Sequence, residues 1–244
     1  MSTDKTAAVI VIGNEVLSGK VDESNATFLI RELRELGVTL KSVHVIPDEM
    51  ETIAETVARA SSKFDWVFTT GGIGPTHDDM TVPAIARGFG LELVVHPELN
   101  ALLLRHCGDS PNEHLQRMAR VPAGSELVWA EGLTFPVLVV RNVYVFPGDP
   151  KILRRKFLAI RGRFRSAPFT LRRIFTTCDE GELAALMEET ESSRRGVQIG
   201  SYPVYDNPEY KVQITIESKD PAQADEAFEQ LCSRIPAASI VRVA

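Results

Sequence analysis

Residues 7–13 (AAVIVIG) form an unbroken apolar run, and that run restricts the architectures open to this chain more than any other segment. A strand with one wet face alternates apolar and polar side chains. A strand without that alternation must be covered on both faces, as in a parallel sheet between helices. The next segments obey the same logic. Residues 24–36 place Ala26, Leu29, Ile30, Leu33 and Leu36 on one helical stripe, with Gly37 suited to the C′ position. Residues 39–46 read as a strand, 49–62 as a helix with Ile53, Val57 and Ala60 near one face, 65–70 (DWVFTT) as a strand and 82–89 as a helix. Such alternation predicts parallel pairing and right-handed crossovers. Residues 127–130, 137–140 and 143–146 read as short strands, with a tight turn at Asn142. Pro147-Gly148-Asp149-Pro150 then stops the last strand, and Lys151 begins a basic helix.

Residues 161–170 (RGRFRSAPFT) mix glycine, proline, serine and charge without periodicity, which predicts a boundary between domains at 1–166 and 167–244. The second part reads βαββαβ: strands at 171–178, 196–202, 209–218 and 239–243, helices at 179–194 and 221–234. Tyr210, Val212, Ile214 and Ile216 fall on one face of the third strand. This order suits a split βαβ or a related two-layer sandwich.

Of 244 residues, 44% are hydrophobic and 25% charged, enough for a sizeable core, and the formal net charge of -6 disfavours nucleic acid and anionic membranes as partners. No apolar run is long enough to span a bilayer, and the N-terminus lacks a basic n-region, so a cytoplasmic location is expected. Cys107, Cys178 and Cys232 are far apart and show no CxxC or Cys/His ligand spacing. They read as small core residues rather than zinc ligands or disulfides.

Gly71-Gly72-Ile73-Gly74-Pro75-Thr76-His77-Asp78-Asp79 carries the chemistry. Glycines at a strand-to-helix turn let backbone N–H groups converge on an anion, with the helix dipole behind them. Two adjacent carboxylates would repel a phosphate there, and a bridging divalent cation reconciles the two. No lysine follows the glycines, and their spacing is not that of a dinucleotide fingerprint. Pro83 belongs in a first helical turn, which puts the N-cap at Met80 or Thr81 and leaves Asp78 and Asp79 in the loop.

Asp48 follows the second strand, where it either caps the next helix or joins the first-strand exit, Gly13-Asn14-Glu15, and Asp79 at the carboxyl edge of the sheet. His77 is the histidine placed for phosphate contact or proton transfer, whereas His44, His96, His106 and His114 carry no pairing signal. Lys151, Arg154, Arg155, Lys156, Arg161, Arg163, Arg165, Arg172 and Arg173 form a cluster without interleaved aromatic stacking residues. They read as a solvated face pairing with acids rather than a nucleic-acid surface.

GNEVLSGKVDESN, IPDE, TTGGIGPTHDDMT and PGDP together resemble the molybdopterin-binding-like family of MogA-type proteins and the N-terminal half of CinA. RNVYVFPGDPKILRRKF, GSYP and NPEYKVQITIES are similar to the form found in eukaryotic FAD synthases. The resemblance implies a three-layer αβα domain with a mostly parallel sheet, a small βαββαβ domain after it, and homo-oligomers (dimer or trimer). It implies a small nucleotide or pterin ligand. Asp48 and Asp79 match the two aspartates that matter for pterin chemistry in MogA-like members. CinA relatives imply a metal-dependent ADP-ribose pyrophosphatase. FAD-synthase relatives imply FAD hydrolysis favoured by cobalt and potassium.

On these motifs the catalytic candidates are Asp48, Asp79, Glu15 and His77, with Asp48, Asp78 and Asp79 as ligands for Mg²⁺, Mn²⁺ or Co²⁺. The ligand-binding candidates are Gly13, Asn14, Thr70, Gly71, Gly72 and Gly74, followed by Pro75, Thr76, Thr81, Pro147 and Gly148. Three departures bear on subtype. CinA proteins carry an Asn-Pro-x-Gly-x-Ala-Pro-Gly-like stretch where this chain has Ala130-Glu131-Gly132-Leu133-Thr134-Phe135-Pro136, which favours the FAD-synthase form. Gly13-Asn14-Glu15 replaces a common Gly-Asp-Glu, and Asp78-Asp79 replaces the Arg-Asp of MogA. The extra carboxylate suits metal-bound pyrophosphate. The expected activity is hydrolysis of a nucleotide diphosphate bond in FAD or ADP-ribose. Pterin binding without turnover and an oligomeric scaffold are the alternatives.

Overall fold

The computed structural model describes residues 4–107 and 113–244, which divide into two compact units between Ser166 and Ala167. In the first unit, β1 (Thr6–Ile12) leads into a one-turn helix α1 (Asn14–Leu17) and then α2 (Asn25–Glu35). β2 (Thr39–Ile46), α3 (Met50–Lys63), β3 (Trp66–Thr70) and α4 (Thr81–Phe89) continue the alternation. An excursion follows: β4 (Leu93–Val95), α5 (Pro97–Cys107), α6 (Glu113–Arg117) and β5 (Arg120–Pro122), in which β4 and β5 pair as a separate antiparallel ribbon. β6 (Glu126–Val128), β7 (Val137–Val140) and β8 (Val143–Phe146) complete the main sheet, and α7 (Pro150–Ile160) closes the layer.

The sheet order is β2-β1-β3-β8-β7-β6. β1 pairs in parallel with β2 and β3, and β3 pairs in parallel with β8; β7 and β6 add antiparallel. The apolar run of β1 explains the central position, because both of its faces are buried. Ala7, Val9 and Val11 pack into one core with Leu29 and Leu33 of α2 and Leu153 and Phe157 of α7. Ala8, Ile10 and Ile12 pack into the other with Ile53 and Val57 of α3 and Ile85 of α4. The result is the expected three-layer αβα arrangement. Asp149 caps α7 by accepting from the amides of Lys151 and Ile152, with Pro150 in the first turn.

The second unit comprises β9 (Thr170–Thr176), α8 (Glu180–Ser192), β10 (Val197–Pro203), β11 (Val212–Ser218), α9 (Pro221–Arg234) and β12 (Ile240–Val243). Its sheet order is β10-β11-β9-β12 with every pair antiparallel, so β11 splits the β9–α8–β10 unit. The third strand starts at Val212 rather than 209. Asn207 Oδ1 accepts from the Glu209 amide at 2.8 Å and holds that stretch in a turn, leaving Tyr210 outside the strand with its ring 5.0 Å from Phe175. Cys178 and Cys232 are free, half-buried and packed on the core of this unit. The side chains of His106 and Cys107 lie outside the described residues. Among the described residues no helix is long and apolar enough to cross a membrane.

Candidate functional site

Because β1, β2, β3 and β8 run in parallel, their carboxyl ends deliver Gly13-Asn14-Glu15, Pro47-Asp48, Gly71-Gly72 and Pro147-Gly148 to one edge. Gly71 (φ 102°) and Gly72 (φ 62°) lie in the region that favours glycine. A Cβ on Gly71 would stand 2.0 Å from the Ile12 carbonyl oxygen, so the loop leaves β3 pressed against the end of β1. The Gly71 amide donates to Phe146 O at 3.2 Å. Beyond it, the amides of Gly72, Ile73 and Gly74 have no acceptor among the described residues. Three successive N–H groups without an acceptor before a helix N-terminus are of the kind that receives an anion.

Two threonines read as ligand contacts serve the scaffold. Thr81 is not the cap of α4, because that helix has Met80 at its N-cap; the buried Thr81 hydroxyl donates to Gly71 O at 2.8 Å. Thr70 Oγ1 donates to Pro147 O at 2.9 Å. Asn25, which sequence reasoning left unassigned, ties these exits together. Its Nδ2 donates to Thr70 Oγ1 at 2.9 Å and to Gly148 O at 2.8 Å, while Oδ1 is buried without a partner. Its signal in the sequence was only an asparagine at a helix start, where a capping residue is the ordinary expectation.

The acids converge only in part. Asp48 Oδ2 accepts from the Asn14 amide at 2.8 Å and so links the exits of β2 and β1. Burial, opposed by that amide and reinforced by Glu15, Asp78 and Asp79, raises the Asp48 carboxyl above its usual range. Asp79 Oδ2 accepts from the Thr76 amide at 2.8 Å and from the Thr76 hydroxyl, fixing the turn that holds Asp78 and His77 out in solvent. The Thr76 hydroxyl and its own amide lower the Asp78 carboxyl. His77 is 92% exposed, with Nδ1 4.0 Å from Asp78 Oδ1. Glu15 is exposed at the start of α1.

A cavity of about 810 Å³ opens beside the loop. Glu15, Gly71, Gly72, Gly74, Thr76, His77 and Asp79 are part of its lining. Leu93, Leu127, Phe135 and Leu138 supply apolar wall, and Arg117, Arg120, Arg155 and Lys156 bring positive charge. Asp48 and Asp78 stand outside that lining. A depression of about 400 Å³ near Ser61, Gly88 and Arg141 lies away from all of these acids. The excursion 93–122, which sequence periodicity left without elements, therefore contributes Leu93, Leu99, Arg117, Met118, Arg120 and Val121 to the cavity lining. Its strands have three residues each and its apolar side chains Leu93, Val94 and Val95 are exposed, so no alternation marks them.

The basic cluster does not behave as one solvated face. Arg161 pairs with Glu32 (3.2 Å) and Glu35 (3.3 Å), Arg163 with Glu126 (3.1 Å) and Arg172 with Asp225 (2.8 Å). Lys156 is instead only 8% exposed, with Nζ donating to Pro136 O. Burial, with repulsion from Arg155, pushes the ammonium down to about 8 from 10.5. Between those values the unfolded chain holds a proton that the folded chain has released, so stability rises with pH across the window. Lys156→Met removes this titration. The urea-derived stability of the wild type relative to the variant is expected to rise by up to roughly 3 kcal/mol from about pH 7.5 to about pH 10.5. The lost bond to Pro136 adds only a pH-independent offset, and a flat difference would contradict the assignment.

Among the described residues no three acidic, histidine or cysteine side chains form a ready-made cation cage. Asp48 and Asp79 nevertheless each keep Oδ1 without a donor among the described residues. Crowded carboxylates with free oxygens beside free amides fit Mg²⁺-like ions, which use one or two carboxylates plus water and substrate phosphate.

An αβα sheet with a glycine loop at its carboxyl edge and a large cavity against that loop is the build of a small-ligand-binding domain. The chain belongs to the family described as probable molybdopterin binding domain, which matches residues 8–163; residues 168–244 match the middle domain of FAD synthase. It is 34% identical over 223 residues to a protein of Archaeoglobus fulgidus, covering 91% of this chain and 94% of that one. A probable FAD synthase of Caenorhabditis briggsae is 34% identical over 244 residues, covering 88% of this chain but 46% of the relative, so the chain spans about half that protein's length. The crystal structure of CinA from Thermoplasma acidophilum, described as of unknown function, superposes with a TM-score of 0.61 at 29% identity over 67% of this chain and 99% of that one.

Proposed function

We propose that the chain hydrolyses the diphosphate bond of FAD or ADP-ribose, releasing AMP and the second monophosphate. The observation that carries this reading is the juxtaposition of free Gly72, Ile73 and Gly74 amides with the Asp48 carboxylate, whose proton affinity is raised by burial and by the charges of Glu15, Asp78 and Asp79. The amides receive phosphoryl oxygens. Asp48, held by the Asn14 amide, is fixed beside them, and Asp79 holds the loop in shape. A divalent ion (Mg²⁺, Mn²⁺ or Co²⁺, with K⁺ alongside) would be held by one or two of Asp48, Asp78 and Asp79 together with water and substrate phosphate, and would supply Lewis-acid charge neutralisation. Water attacks one phosphorus, the bridging P–O bond breaks, and Glu15 or His77 takes the water's proton.

Relatives named FAD synthase support the substrate class. The family's description supports a second reading, pterin binding without turnover. We further propose a homo-oligomer, dimer or trimer, acting in the cytoplasm. Purified protein incubated with FAD or ADP-ribose is expected to release AMP with Co²⁺ or Mg²⁺ and none with a chelator. No AMP with any metal, together with tight pterin binding, would replace the hydrolase by the second reading.

A further inference from the structure

We infer that Lys156 and Arg155 form a metal-independent anion subsite in the cavity wall, gripping the diphosphate group of the ligand. The inference rests on the proposed reading that a diphosphate ligand fills this cavity, and it adds which residues hold the anion when no cation is present.

Three observations support it. Lys156 is more than nine-tenths buried, yet its only hydrogen-bond acceptor among the described residues is the neutral Pro136 carbonyl. An ammonium has three donors, so two are left for a ligand. A buried cation is ordinarily balanced by an acid, and one without that balance costs stability. Second, Arg117, Arg120 and Arg155 line the same cavity, and none has an ion-pair or hydrogen-bond partner for its side chain among the described residues. Elsewhere in the first unit, Arg161, Arg163 and Arg87 all pair with acids. Arg117, Arg120 and Arg155 thus stand without an acid where a ligand entering the cavity can reach them. Third, the acids in the lining, Glu15 and Asp79, leave their part of the rim electronegative without a cation. In metal-free protein the diphosphate therefore has its attractive charge at the Lys156 wall. The apolar lining formed by Leu93, Leu127, Phe135 and Leu138 is left for a ring system.

Inorganic pyrophosphate, titrated calorimetrically at neutral pH in the presence of a chelator, tests this without depending on turnover. Wild type and Lys156→Arg are expected to bind it. Lys156→Met is expected to bind at least about tenfold more weakly, as for loss of one charge-assisted hydrogen bond. Arg155→Ala, an exposed position, is expected to weaken binding by about threefold or more and keeps the test decisive should Lys156→Met not fold. Asp48→Asn is expected to bind pyrophosphate at least as well as wild type. Undiminished binding by Lys156→Met or Arg155→Ala, or wild-type binding that appears only when Mg²⁺ is added, would overturn the subsite. Absence of AMP release from FAD with pyrophosphate binding intact would sink the hydrolase and leave the subsite standing.

Discussion

Gly71→Ala is expected to destabilise the first unit by roughly 4 kcal/mol or more, a large share of the stability of a domain this size. The residue has a φ of 102°, a conformation that L side chains rarely adopt. Its new Cβ would also stand 2.0 Å from Ile12 O. That oxygen cannot retreat cheaply. Ile12 ends the central strand, is 2% exposed and pairs with Ile46, while the next amide, Gly13 N, donates to Ile46 O at 3.1 Å. Swinging the loop away instead sacrifices the Gly71 bond to Phe146 O and the Thr81 bond to Gly71 O. Gly74→Ala is the internal comparison. Its Cβ would meet only the Asp79 carboxylate, at 2.7 Å, on a side chain able to rotate. It is expected to cost about 1 kcal/mol and to loosen the Asp79 bond to Thr76. Urea midpoints at unchanged slope measure both, and equal losses for the two would refute this account of the loop.

The contrast between these glycines shows what the sequence made legible. The uncharged run of residues 7–13 could only be a strand covered on both faces, and β1 is central with helices on each side. The glycine loop followed from strand, glycines and Pro83, all local signals. What stayed hidden depends on contacts across the chain. Thr81 looks like a cap because caps are local, yet its hydroxyl reaches back ten residues to Gly71 O. Asn25 joins β3 to the β8 exit across 45 and 123 residues, a bridge with no periodicity. Lys156 sits in a run of basic residues, where composition suggests a wet face. Helical geometry places it instead on the same stripe as Leu153, Phe157 and Ile160, the buried face of α7. That stripe was available in the sequence, but the uniform charge of the cluster outweighed it. In the excursion 93–122, β4, β5 and α6 carry three to five residues each, too few for a period to emerge.

Asp48→Asn is expected to abolish turnover while making the metal-free protein more stable, and the two halves of that result have separate causes. In the fold, Asp48 loses hydration and faces the charges of Glu15, Asp78 and Asp79, so its carboxyl is raised above the unfolded value of 3.8. A raised carboxyl binds its proton more readily when folded. Stability is therefore full below about 3.8 and declines as pH rises through the folded value. At neutral pH the ionised Asp48 is a burden on the fold. Asparagine keeps an acceptor for the Asn14 amide and carries no charge, so the variant should melt higher than wild type at neutral pH, with the gap closing in acid. Turnover in the proposed reaction needs that charge opposite a cation, and kcat/KM is expected to fall about a hundred- to a thousandfold. Adding Mg²⁺ with pyrophosphate separates the causes further: ligand linkage should stabilise wild type more than the variant and reduce or invert the melting order. A variant that melts lower than wild type without metal would mean that the Asn14 bond needs a full carboxylate. A more stable variant that still hydrolyses FAD would move the catalytic charge to Asp79, whose free Oδ1 is the other candidate on this edge.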